Sequence, residues 1–424
     1  MKIRSHWSLW VLLLSGILAL SLIQNATAYS YVYVVNSYVH GSNPDWSTVA
    51  KIDGEDLSLI ETVEVGDNAH SIAMVQSPNR LWVTCPDSDH IAVINPSTME
   101  LIDNIEIEGA QPTGIAVSPY DSRVYVTFSE TGEVGIFNPQ EMELISSIHV
   151  GGNPSSITFT PSGAKAYVVD YQEPAVYVID AVRNALITTL NFPGHAIQDA
   201  IASPDGSTIY LANMDQNKIE VIRTRDDFIL APMETSLHPR GIAISPDGQY
   251  LFLGHYTATD AYVDMIRLSD GQVVSTASIP SNPRCIKVSS DGHGIFVTEH
   301  NEDALYAYDV SGETLSPAGH VDLNSVSGQQ ASPVGLVIQE VALIPSGKMI
   351  IQRPPRPQDL LPNEPIRLID TLPIKFERYK SGYLGASSPR DLYSPESYLI
   401  SGEYCTFLET FQRLKESREL STVH

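Results

Sequence analysis

Over most of this chain, up to about residue 352, apolar residues fall in short runs separated by turn residues, without the three-to-four-residue spacing of an amphipathic helix. Similar runs open at Ile72, Ile115, Ile157, Ala200, Ile242 and Ile286, at periods of 43, 42, 43, 42 and 44 residues. Each opening lies 11 residues before an apolar partner, at Val83, Val126, Val168, Leu211, Leu253 and Val297. A period of this length, holding several short strands, predicts the blades of a propeller.

Within each period the pattern predicts four strands. Strand A is the opening run ("PTGIAVSP", "PRGIAISP") and strand B follows a turn ("RVYVTF", "QYLFLGH"). Strand C ("HIAVIN", "AVYVID") leads into strand D ("MELIDNIEIEG"). Asp205-Gly206, Asp247-Gly248 and Asp291-Gly292 supply the positive φ that tight hairpins need. D-type strands begin near Leu57, Met99, Met142, Asn184, Asp227, Gly271 and Glu313, which gives seven blades. "KMIIQ" and "PIRLID" leave an eighth, partial blade as the competing count.

The first strand after residue 28, "YVYVVNS", is of B type and has no A strand before it. Val341–Ile344 is therefore expected to supply the innermost strand of blade one, closing the ring and removing its free edges. The fold class expected is all-β: a seven-bladed β-propeller of four-stranded antiparallel blades, closed by a C-terminal strand.

The ends of the chain read differently. Residues 1–28 have a signal peptide's parts: basic Lys2 and Arg4, an apolar stretch from Leu9 to Ile23, and the small-residue site Ala26-Thr27-Ala28. The propeller is assigned to residues 29–352. Residues 353–424 form a C-terminal extension, an arm crowded with Pro354, Pro355, Pro357, Pro362, Pro365 and Pro373, then one short amphipathic helix carrying Phe407, Leu408, Phe411 and Leu414. Export to the periplasm, cell surface or medium is the expectation, with no transmembrane span after signal cleavage.

Acidic residues outnumber basic ones 50 to 25, giving a formal charge of −25, which argues against nucleic acid as a partner. Cys85, Cys285 and Cys405 are too few and too scattered for a disulfide framework, and no zinc or haem-attachment spacing occurs. No cofactor and no metal is expected. His40, His90, His149, His238, His293 and His320 are dispersed and read as surface or turn residues.

In a propeller the residues leading into strand A and those leaving strand B share one face. Two residues before each A opening stand His70, Thr113, Ser155, Gln198, Arg240 and Arg284. The strand B exits carry Asp170, His255 and Glu299, with His300 following. The candidate ligand-binding rim is thus His70, Arg240, His255, Arg284, Glu299 and His300, a basic spot suited to a small anion. The structural alternative is that Arg240 and Arg284 pair with acids and hold neighbouring blades together. His195 and Asp199 lie at another blade's opening, with Tyr171 beside Asp170. No nucleophile elbow or phosphate loop is present, and no catalytic residue is assigned.

Segments such as "GGNPSSITFTPSGAKAYVVDYQEPAVYVID" and "HPRGIAISPDGQYLFLGHY" resemble the YVTN family of seven-bladed propellers, over roughly residues 31–351. The namesake tetrapeptide is never complete; the nearest forms are "YVVN" at Tyr33, "WVTC" at Trp82, "YVTF" at Tyr125 and "YLAN" at Tyr210. The resemblance implies a surface-layer or exported propeller. Three functions follow: a non-catalytic scaffold binding a protein, glycan or small ligand through its loop face, which is the leading reading; a lactonase-like hydrolase; and a haem-free subunit of a redox complex of the methylamine dehydrogenase or hydrazine synthase type.

Overall fold

A computed structural model describes residues 29–37, 46–194, 197–257, 260–323 and 332–341, with two short strands, Lys348–Ile350 and Lys375–Glu377. One compact unit, Thr27–Ala342, holds seven antiparallel sheets. In the second unit, which includes Leu343–His424, the described residues are those two short strands, paired antiparallel. The expected C-terminal helix and most of the Pro-rich arm, like residues 1–28, lie outside the described residues.

The seven sheets are the seven blades, each running from an inner strand A to an outer strand D. The A strands are Ser332–Val341, Ile72–Gln76, Pro112–Val117, Pro154–Phe159, Ile197–Ala202, Pro239–Ile244 and Pro283–Val288, in blades one to seven. All six 11-residue pairs from the sequence face each other across the A–B ladders, Ile72 with Val83 through Ile286 with Val297. Lys348–Ile350, the core of the supposed eighth blade, pairs only with Lys375–Glu377 among the described residues.

The ring is closed by a C-terminal strand, though not the expected one. Ser332–Val341 pairs with Tyr29–Ser37 from Tyr29–Val341 to Ser37–Ser332. Only Val341 of the expected Val341–Ile344 belongs to it, and 342–344 lie outside the described residues. The missed signal is Pro333-Val334-Gly335-Leu336, which repeats Pro112-Thr113-Gly114-Ile115 and Pro239-Arg240-Gly241-Ile242. It falls off the period because strands C and D of blade seven run to eight and nine residues, with a longer connection after them.

Burial explains the alternation of strand types. Every residue of Val124–Phe128 is buried, whereas strand D of the same blade, Glu143–His149, is almost wholly exposed. The core therefore lies between blades. Trp82 of blade two meets Phe137 of blade three edge-on at 5.9 Å, and Tyr125 of blade three meets Phe159 of blade four at 5.0 Å. The recurring Tyr of the "Y-V" strands fills this space with its ring and sends its hydroxyl into the C–D turn of the next blade. Tyr33 donates to the Pro96 carbonyl at 3.1 Å, Tyr125 to Ala181 at 3.1 Å and Tyr167 to the Asp227 carboxylate at 2.6 Å.

The turns follow the sequence closely. In the Ser-x-Asp-Gly hairpins (x is Pro204, Pro246 or Ser290), Gly206, Gly248 and Gly292 hold φ of 70°, 70° and 74°. The preceding Asp carboxylates each accept from the Ser hydroxyl two residues earlier at 2.6 Å. Six of the seven residues expected to begin the D strands instead occupy the left-handed turn before them, from Leu57 at φ 59° to Gly271 at 71°; in blade seven that place is taken by Gly312, at 58°, and not by Glu313. In six blades a bulge interrupts the C–D ladder, between Val93 and Ile94 for example, which blunts the open outer edge against pairing with another chain.

Candidate functional site

The A strands line a central cavity of about 590 Å³. In five blades the A–B register shifts over the first residues of strand A, and the bulge turns the second residue toward the ring axis. These second residues are Thr113, Ser155, Gln198, Arg240 and Arg284, and with His70 and Val334 they give the cavity one side chain from each blade. Gly241 is required by close approach: a Cβ there would lie 2.6 Å from the backbone oxygen of Arg284, so glycine lets the inner strands of blades six and seven come together.

That approach puts the two arginines in one field. Arg240 donates through Nη1 to Asn282 Oδ1 at 2.8 Å, and its guanidinium lies 5.7 Å from the Tyr256 ring centre. Arg284 has no hydrogen-bonding or ionic partner among the described residues. Neither arginine pairs with an acid there, so the salt-bridge alternative does not describe them. Burial and the neighbouring Arg240 charge push Arg284 down to about 10.

His70 and His300 belong to the same cluster. Burial, then the charges of Arg284 and Arg240, hold each imidazole down at about 4, so both are neutral near pH 7. His70 Nδ1 lies 3.2 Å from the Ser71 hydroxyl, and His300 Nδ1 is buried without a hydrogen bond.

Two of the six expected rim residues are elsewhere. His255 is fully buried: its Nδ1 lies 3.0 Å from the Leu237 carbonyl oxygen, its Nε2 lies 3.1 Å from Asp264 Oδ2, and its ring stacks on Tyr262. Glu299 is also fully buried, accepting from the Ser281 hydroxyl at 2.8 Å and from the backbone N–H groups of Asn282 and Glu302, the first at 2.6 Å. The reason is general to the ring. The last residue of every strand B (Ser37, Cys85, Phe128, Asp170, Asn213, His255, Glu299) is buried in the blade rather than exposed on the rim. Polar residues there tie down loops, as Asp170 does by accepting from Asn153 N, Gln172 N and Tyr177 OH. Glu299 thus acts indirectly, fixing the Asn282 that orients Arg240. Replacing His255 by Ala is expected to destabilise the fold by about 3 kcal/mol, because it strands a buried Asp264, while the folded variant keeps its channel chemistry; urea unfolding and ligand titration of the same variant separate the two effects.

Below the arginines the channel carries Asp199, Cys285 and Lys287. Asp199 accepts from the Ser156 hydroxyl at 3.2 Å across the blade boundary, and burial raises its pKa. Lys287 escaped the sequence reading, although its blade equivalents (Ala73, Ala116, Thr158, Ile201, Ala243, Val337) are all uncharged. Among the described residues the lining therefore holds three cations, Arg240, Arg284 and Lys287, against one acid, Asp199. Tyr171, 58% exposed, stands at the mouth. His195 lies outside the described residues. Among the described residues, no set of three or more His, Cys, Asp and Glu is placed to hold a metal ion, and no helix is long and apolar enough to cross a membrane.

No protein-family profile matches the chain, and neither does any curated protein sequence. Solved structures do. Kuenenia stuttgartiensis hydrazine synthase matches with 20% identity and a TM-score of 0.51, covering 57% of this chain and 76% of its own. A protein of unknown function from Desulfotomaculum acetoxidans matches with 14% identity and a TM-score of 0.58, covering 74% and 99%. A Bacteroides uniformis protein assigned as a 6-phosphogluconolactonase matches with 13% identity and a TM-score of 0.61, covering 74% and 100%. At these identities the likeness is one of fold, and the chain is a seven-bladed β-propeller.

Proposed function

We propose that this protein is an exported binding propeller of the YVTN type whose channel mouth takes a small anionic ligand, a carboxylate or phosphate, between Arg240 and Arg284. One observation carries the reading: two adjacent, half-buried arginines pair with no acid among the described residues, in a chain of net charge −25. Like charges brought together away from water are unfavourable, and an anion that accepts from both guanidinium groups relieves that repulsion. Neutral His70 and His300 add hydrogen-bonding capacity without adding repulsion.

Binding is favoured over lactone hydrolysis because Glu299 and His255, the acid and base that such a rim would use, are both engaged in the blade interior. The test is thermal unfolding of the full chain with acetate, citrate, gluconate or phosphate, against the neutral sugar and amide analogues. Selective binding to the native state raises its melting temperature as ligand exceeds the dissociation constant. Stabilisation by anions alone is expected, and equal shifts with the neutral analogues would remove the proposal.

Export rests on the residues 1–28 pattern and the YVTN-like motifs. Secreted protein is expected to begin at Tyr29, which N-terminal sequencing checks. Retention of Met1 in a membrane fraction would contradict it.

A further inference from the structure

A second concavity, sharing no lining residue with the channel, lies between blades six and seven and has a volume of about 650 Å³. Its walls include Tyr262 of blade six and Tyr306 of blade seven, with Ile279 and Pro280 between them. Each tyrosine is backed by a stacked imidazole. The His255 ring lies against Tyr262 with centroids 4.5 Å apart and planes 23° off parallel, and the His320 ring lies against Tyr306 at 5.2 Å and 17°. His255 is in turn held by Asp264, so at least one wall is fixed by a buried network.

The surroundings are acidic. Asp260 lines the groove, exposed and without a partner among the described residues, and the charges of Glu299, Glu302 and Asp322 all act on the Tyr306 hydroxyl. No lysine or arginine lines it among the described residues. Two rigid aromatic walls in an open groove fit the ridged, pre-extended surface of a polyproline II helix, which loses little entropy on docking. The acidic shoulder selects a basic flank.

We propose that this groove docks an arginine-bearing, proline-rich segment of a partner protein in the polyproline II conformation. The chain's own sequence supplies a probe of that chemistry, Arg353-Pro354-Pro355-Arg356-Pro357. A labelled peptide of residues 351–359 is titrated against the full chain carrying Arg353→Ala and Arg356→Ala, so that its own segment does not compete. Saturable binding is expected, weakened about tenfold by Tyr306→Ala and abolished when the peptide's prolines become alanine. Should Tyr306→Ala not fold, Asp260→Asn with Glu302→Gln, both at exposed positions, is expected to weaken binding and flatten its salt dependence; Asn also tolerates the φ of 62° at position 260. No binding, equal binding by the alanine peptide, or an affinity unmoved in the folded variants would overturn the proposal.

Discussion

A chain ended at Leu323, before the closing strand, is expected not to fold cooperatively, whereas one ended at Ala342 keeps a cooperative melting transition. The closing strand places Leu336 and Val334 in the apolar clusters on either side of blade one, and it occupies the ladder positions opposite Tyr29–Ser37. Burial of a Leu or Val side chain contributes about 1.5–3 kcal/mol. With the ladder and the exposed edge included, the loss reaches about 5 kcal/mol, comparable to the whole stability of a typical domain. Circular dichroism melts of the two truncations decide the matter, and superimposable melts would refute the closure.

The double variant Arg240→Ala, Arg284→Ala is expected to bind a carboxylate or phosphate at least about a hundredfold more weakly, since hydrogen bonds to charged groups contribute about 1.5–3 kcal/mol each. The pH dependence has a definite sign. His70 and His300 protonate only near 4, held there by burial and the two arginines. A bound anion offsets the arginine charges and raises both values, so binding takes up protons and affinity strengthens as pH falls from about 6.5 toward 4. Without ligand the same groups act against the fold. Their folded-state pKa lies below the ordinary 6.5, so stability is lost as pH falls through that window. Calorimetric titrations at pH 7.5, 6 and 5 test both statements; an affinity that rises with pH, or one untouched by the double substitution, would contradict them.

The repeat spacing carried most of the fold, because a four-stranded blade must present the same apolar face once per period, and Ile72 with Val83 shows how literally that spacing is a ladder register. What spacing could not carry was the final blade. There longer strands displaced Pro333-Val334-Gly335-Leu336 from its expected position, and only the motif itself marked it. The site divides along a similar line. Residues two before the A openings line the channel, through the same bulge in five blades and through the residues leading into strand A in blade two, so Arg240, Arg284 and His70 were legible from alignment alone. His255 and Glu299 were not. Whether the last residue of strand B turns outward or inward depends on pleat and twist, and a charged residue type does not reveal that it satisfies buried loop amides. Lys287 stood in plain view among uncharged equivalents, one pleat below the arginines, where alignment of the openings did not look.

The central claim is that the paired arginines at the channel mouth form an anion site. Crystals of the full chain grown with bromide, measured for anomalous scattering at the bromine edge, test it most directly. The account predicts a difference peak in the channel within hydrogen-bonding reach of both the Arg240 and Arg284 guanidinium groups, displaced by the carboxylate or phosphate that stabilises the protein in solution. Bromide found at other surface sites while the space between the two arginines stays empty would contradict it.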